Sequence, residues 1–176
     1  MKKIALAGAT LALVLAAGSA SAANSLSAGT LGLNVPVITG NAPTAPAGVN
    51  IADPIIAGKY FVAKDMAILG GFGFVSGGPS GASTTTFALE GGVRKYMNTN
   101  DFAPFVGGGL IYATTSTSPT TTTAMQLGVE AGAEYFLAKQ FSIEGKVRFG
   151  YTSYDNGTKS SYFGTTTSNL SVNFYF

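Results

Sequence analysis

The sequence predicts an all-β fold: an eight-stranded antiparallel up-and-down transmembrane β-barrel. Three observations lead there. Long stretches alternate polar with apolar residues at the two-residue period of a strand, and no Met, Leu or Ala series keeps helical spacing for long. The connections between these stretches alternate long and short. Charged residues make up 10% of the chain, against about 25% in an ordinary soluble domain, too few for a conventional wet exterior.

The first segment is expected to be removed. Lys2 and Lys3 precede an apolar run from Ile4 to Ala17, and Ala20-Ser21-Ala22 offers small residues at the positions a signal peptidase reads. This run is shorter than the roughly 20 residues that cross a bilayer as a helix, and Gly8, Thr10 and Gly18 weaken it further. Residues 1–22 are therefore predicted to be a cleavable signal peptide and residues 23–176 the barrel. The chain carries 10 basic and 8 acidic residues. Lys2 and Lys3 supply the whole excess, so the barrel is formally neutral and no basic face argues for a nucleic acid partner.

Eight strands follow, predicted at 25–36, 54–62, 66–75, 84–96, 102–114, 123–136, 141–151 and 163–176. In the first, Gly29, Leu31, Leu33 and Val35 oppose Thr30, Gly32 and Asn34. The fourth sets Phe87, Leu89, Gly91 and Val93 against Thr86, Ala88, Glu90, Gly92 and Arg94. The fifth, with Gly107-Gly108-Gly109, does not declare its faces. The sixth sets Met125, Leu127, Val129, Ala131, Ala133 and Tyr135 against Gln126, Gly128, Glu130, Gly132 and Glu134. The seventh sets Phe141, Ile143, Gly145, Val147, Phe149 and Tyr151 against Ser142, Glu144, Lys146, Arg148 and Gly150. Residues 63–65, 97–101 and 138–140 read as tight turns, and 37–53, 76–83, 115–122 and 152–162 as longer loops rich in Gly, Pro, Ser, Thr and Asn. Short turns on one side of a membrane and long loops on the other are what a spanning barrel produces.

Alternation alone does not say which face points inward, since a soluble ligand-carrying barrel shares the same period. Charge placement favours the membrane version. Glu90, Glu130, Glu134 and Glu144 all lie on the polar faces of long strands, while Asp53, Asp65, Asp101 and Asp155 lie in or beside connections. Aromatics also gather where strands meet the tight turns, namely Tyr60, Phe61, Tyr96, Phe102, Phe105, Tyr135, Phe136, Phe141, Phe174 and Phe176. They are expected to form an interfacial girdle. Hydrocarbon offers no partner for free strand edges, so the last strand should pair with the first.

The polar faces assemble one constellation: Lys59, Glu90, Arg94, Glu130, Glu134, Glu144, Lys146 and Arg148. An eight-stranded barrel is just wide enough for side chains to fill it, and buried charges must be paired. An ion-pair network closing the lumen is expected, with a narrow charged pore as the other reading of the same residues. A short turn between strands 6 and 7 would set Glu130 opposite Arg148 and Glu134 opposite Glu144, with Lys146 diagonal to both acids. Histidine and cysteine are absent, which removes disulfides, imidazole general bases and the commonest metal ligands. No catalytic residue, cofactor or metal site is expected. Gly70-Gly71-Phe72-Gly73 and Gly107-Gly108-Gly109 lack the lysine and following helix of a phosphate loop. Asn156-Gly157-Thr158 fits a glycosylation sequon but reads as a plain turn.

The last eight residues alternate Asn169, Ser171, Asn173 and Tyr175 with Leu170, Val172, Phe174 and Phe176. This ending resembles the C-terminal strand of bacterial outer-membrane β-barrels. Gly58-Lys59-Tyr60-Phe61-Val62-Ala63-Lys64-Asp65-Met66-Ala67 and Ala103-Pro104-Phe105-Val106-Gly107-Gly108-Gly109 are similar to segments of the small members, the OmpA transmembrane domain and OmpX type. The resemblance implies that Val172, Phe174 and Phe176 form an assembly signal read by the barrel-assembly machinery. It also implies outer-membrane lipid as surroundings, extracellular loops, periplasmic termini and a monomer without the periplasmic peptidoglycan-binding domain of larger relatives. The function it implies is structural or surface-interacting, through loops 37–53, 76–83, 115–122 and 152–162. A passive pore is the alternative, and a lipid-modifying enzyme ranks last.

Overall fold

Runs rich in Val, Phe, Tyr, Thr and Gly, punctuated by turn residues, leave this chain little choice but strands. The computed structural model describes residues 26–41, 56–78 and 83–176. Within them lie β1 (Leu31–Asn41), β2 (Ile56–Ala63), β3 (Met66–Gly77), β4 (Thr84–Tyr96), β5 (Phe102–Thr117), β6 (Thr120–Ala138), β7 (Phe141–Asp155) and β8 (Lys159–Tyr175). Each is antiparallel to the next, and β8 pairs with β1 to close the barrel. The predicted leader 1–22, most of the first predicted loop and residues 79–82 lie outside the described residues.

The outer connections differ from expectation. Residues 115–122 do not form a loop, because β5 and β6 run on until only Ser118 and Pro119 separate them. Threonine is β-branched and pairs well across strands. Here Thr84 meets Thr117 at 2.9 Å, Thr86 meets Thr115 at 3.0 Å and Ser116 meets Thr121 at 3.1 Å, hydroxyl to hydroxyl. Likewise 152–162 contracts to a turn at 156–158. There Gly157 takes φ +95°, and the Asp155 and Asn156 carboxyl and amide oxygens accept the Gly157 and Thr158 N–H groups, each at 3.1 Å. The alternation of long and short links is thus not a property of the folded chain.

The first strand is also displaced. It starts at Leu31 after a turn in which Gly29 takes φ +90°, and it passes through Pro36 to Asn41. Pro36 pairs with Ser171 of β8 beside a bulge, a place in a sheet where proline is tolerated.

Outward residues make an apolar wall. Leu127 and Val129 are each 63% exposed and Val93 is 57% exposed, as is reasonable only if something other than water covers them. Above this wall stand Phe74, Phe87, Tyr112, Tyr151 and Phe163, and below it Tyr60, Phe102, Tyr135 and Phe176, all exposed. The predicted girdle therefore needs correction. Phe61, Tyr96, Phe105 and Phe136 point inward, and Phe141 is buried, its ring 5.4 Å from that of Phe174. For the four inward rings the physical reason is parity: Tyr96 shares a face with Arg94, and Phe136 with Glu134, while Phe141 keeps the outward parity of Ile143 and packs against Phe174.

Candidate functional site: the barrel lumen

The lumen is filled in three layers. Its floor is aromatic, with Phe61, Tyr96, Phe105, Phe136 and Tyr175 packed with Leu26. Phe61 stacks on Tyr96 with ring centroids 5.5 Å apart, and Phe136 lies 5.5 Å from Tyr175. The top layer is Ala88, Ile111, Ala113, Ala124 and Tyr154, with Tyr162 against it. Between them lies the charged layer.

Four strands supply the charges: Lys59 from β2, Glu90 and Arg94 from β4, Glu130 and Glu134 from β6, and Glu144, Lys146 and Arg148 from β7. The β6–β7 ladder sets Glu130 opposite Arg148 and Glu134 opposite Glu144. Two acids side by side repel, and a cation bridges them. Lys59 Nζ donates to Glu144 Oε2 at 2.5 Å and to Glu134 Oε2 at 3.1 Å. Arg94 is the second hub. Its Nε and Nη2 donate to Glu130 Oε1 at 3.0 and 2.7 Å, and its Nη1 donates to Glu144 Oε2 at 2.8 Å. The guanidinium also lies 3.7 Å from the centre of the Phe105 ring, joining the ionic layer to the aromatic floor.

Arg148 donates to Glu130 Oε2 at 3.0 Å and to Glu90. Lys146 Nζ stands 3.7 Å from Glu130 Oε2. The eight charged residues named by sequence are thus brought into one connected group, and the most exposed side chain among its ion pairs is that of Lys146, at 8%. The lone pairs of Glu134 beyond its ion pair with Lys59 are met by neutral donors that charge-based reading passed over. The Tyr96 hydroxyl donates to Glu134 Oε2 at 2.8 Å, and Ser142 and Tyr175 hydroxyls also donate to Glu134. Asn173 donates to Ser142 Oγ at 3.0 Å, and Asn34 to Asn173 Oδ1 at 2.6 Å. Tyr96 and Ser142 share strand faces with Arg94 and Glu144, Asn173 and Tyr175 share the β8 face of Ser171, which stands opposite Glu144 in the ladder, and Asn34 stands opposite Asn173, so parity was the signal that could have found them.

Glycine keeps this layer narrow. Gly107 and Gly109 turn inward with Gly108 outward, which settles the faces of β5. A Cβ on Gly107 would sit 2.7 Å from the Val93 carbonyl oxygen and 3.1 Å from Glu130 Cγ. Strands β4, β5 and β6 can approach this closely only without that carbon. The arrangement binds charge to charge. Among the described residues, no group of acids could hold a metal ion.

At the closing seam, Phe176 N–H donates to the Leu31 carbonyl at 2.9 Å, and Leu31 N–H donates back at 3.4 Å. Val172 and Phe174 are half-buried, while Phe176 is exposed on the outer wall.

No protein-family model matches the sequence, and no curated protein matches it. Solved structures do. The N-terminal β-barrel domain of OprF from Pseudomonas aeruginosa superposes with a TM-score of 0.55 at 15% identity, over 85% of this chain and 98% of that one. Outer Membrane Protein W of E. coli has a TM-score of 0.47 at 13% identity, over 85% of this chain and 99% of that one. Neisserial surface protein A has a TM-score of 0.46 at 14% identity, over 83% and 94%. With eight strands closed in sequence order, the chain has the fold of the small eight-stranded outer-membrane β-barrels.

Proposed function

We propose that this is an integral outer-membrane β-barrel protein whose role is structural or surface-interacting, exercised by the segments that emerge on the Ser118–Pro119 side. The observation that carries the reading is the pairing of an exposed apolar wall with a filled lumen. Hydrocarbon accepts a closed barrel because every strand edge is paired, and it accepts an apolar exterior flanked by aromatic belts. A lumen packed with aromatic, ionic and apolar layers supports a closed barrel over a passive pore. At 19 residues β6 is longer than the roughly 9–11 that span a bilayer, so the β5–β6 ribbon stands clear of the membrane as a hydroxyl-rich surface. The absence of His and Cys from the chain supports a non-enzymatic role.

The reading is tested by reconstitution. Refolded protein is expected to migrate faster on a gel before boiling than after, and to give no discrete conductance steps in planar bilayers. Stable unitary steps would replace the closed barrel with the pore. Orientation is readable because the chain has no cysteine. A Ser118→Cys variant on intact cells is expected to react with a membrane-impermeant maleimide, and a Lys139→Cys variant to react only after the outer membrane is opened. The reverse pattern would invert the proposed topology.

Assembly is assigned to the last strand, with Phe176 presented to the assembly machinery. Deleting Phe176 removes both backbone bonds to Leu31 and one aromatic of the lower belt. Surface abundance of the truncated protein is expected to fall severalfold, while protein already folded keeps its heat-modifiable mobility. Undiminished surface levels would show that the terminal residue is dispensable for delivery.

A further inference from the structure

The outer wall is not smooth. Across β4 to β7 it is indented by a hollow of about 540 Å³ whose walls are Val93, Val106, Val129, Val147 and Phe149. The hollow exists because small residues interrupt those large ones. Gly108 faces outward between Val93 and Val129 in the ladder, and Ala131 faces outward between Val106 and Val147. Strands lie about 4.8 Å apart, so the hollow reaches about 14 Å across three strand steps.

One end of the hollow is charged. Lys95, the next outward residue after Val93 in β4, lines it beside Met66 at the start of β3. The Lys95 side chain is 56% exposed and lies 2.5 Å from Asp65 in the β2–β3 turn, whose other residue is the exposed Lys64. Two cations against one carboxylate leave this rim with a surplus positive charge.

We propose that this hollow is a binding site for one anionic phospholipid, with an acyl chain lying over Gly108 and Ala131 and the headgroup phosphate at Lys95 and Lys64. The site rests on the membrane reading above, which places the wall in hydrocarbon and the tight-turn rim at a lipid headgroup layer. An apolar trough ending at a cation matches a phospholipid in both parts. A chain seated in the trough gains contact on three sides where a flat wall offers one, and a lysine at an anionic headgroup adds electrostatic preference.

Native mass spectrometry of the full barrel, refolded and released from detergent with added phosphatidylglycerol or phosphatidylethanolamine, tests the site. One phosphatidylglycerol is expected to remain bound at activation energies that strip phosphatidylethanolamine. Ala131→Phe fills the trough and is expected to abolish the retained lipid. Lys95→Gln is expected to narrow the preference for the anionic lipid about fivefold, the worth of one lysine near such headgroups. Gly70→Leu, on the wall outside the trough where a Cβ meets open space, is expected to retain lipid as the parent does. Retention that is equal for both lipids and untouched by Ala131→Phe would overturn the site while leaving the membrane reading intact. A refolded chain that does not insert into vesicles at all would overturn both.

Discussion

Lys59→Met is expected to be the most damaging single substitution of a charged residue in this protein, lowering unfolding stability in phospholipid vesicles by about 3–5 kcal/mol. Lys59 makes the ion pair that compensates Glu134, which is fully buried and otherwise receives hydrogen bonds from the Tyr96, Ser142 and Tyr175 hydroxyls. Glu144 fares differently, since it keeps Arg94 at 2.8 Å when Lys59 is gone. The cost therefore concentrates on one carboxylate, and removing its charge should restore most of what was lost. The double variant Lys59→Met, Glu134→Gln is expected to be markedly more stable than Lys59→Met alone, because a buried unpaired charge costs more than the pair contributes. Urea titrations of the parent, both single variants and the double variant close the cycle. Additive losses would mean that Lys59 acts through packing against Tyr175 instead of through Glu134.

The second large effect is steric. Gly132→Ala places a Cβ 2.7 Å from the tip of the Phe105 ring and 2.9 Å from Lys146 Cα, and closer still to the Gly145 carbonyl oxygen. Two of these three obstacles are backbone of the neighbouring strand, so relief requires moving β7 away from β6, along the ladder that carries Glu134–Glu144 and Glu130–Arg148. A loss of about 3 kcal/mol or failure to refold is expected from such overpacking. Gly145→Ala is the matched control. It lies in the facing strand, but its Cβ meets no atom within 4 Å, and it is expected to change stability by no more than about 0.5 kcal/mol. Equal effects at the two sites would show that glycine matters here through backbone entropy and not through clearance.

These contrasts mark what alternation can and cannot tell. Which residues share a face follows from counting by two along a strand, and Glu130, Glu134, Glu144 and Arg148 all occupy the face that their parity assigns. For most of the aromatic residues near the turns, parity outranks position along the strand. Phe61, Tyr96, Phe105 and Phe136 lie near the tight turns, as an interfacial belt would, yet their parity puts them inside. Hydroxyl content misled in a similar way. Thr114 to Thr123 lacks the apolar partners that mark a membrane strand, but β-branching and cross-strand hydroxyl pairs extend the ladder as far as Ser118.

The sequence by itself determined the strand number, the antiparallel order, the closing pair of β8 with β1 and the separation of an apolar from a charged face, because a period of two is a local property of the chain. The tertiary structure decided the rest. Which cation compensates which acid depends on how β2, β4 and the β6–β7 pair converge across the lumen, and β2 Lys59 reaches β6 Glu134 only after closure. The aromatic floor and the hollow over Gly108 and Ala131 arise the same way, from residues far apart in sequence whose neighbours are set by barrel register. Curvature and stagger bring those side chains together, and no single strand carries that information.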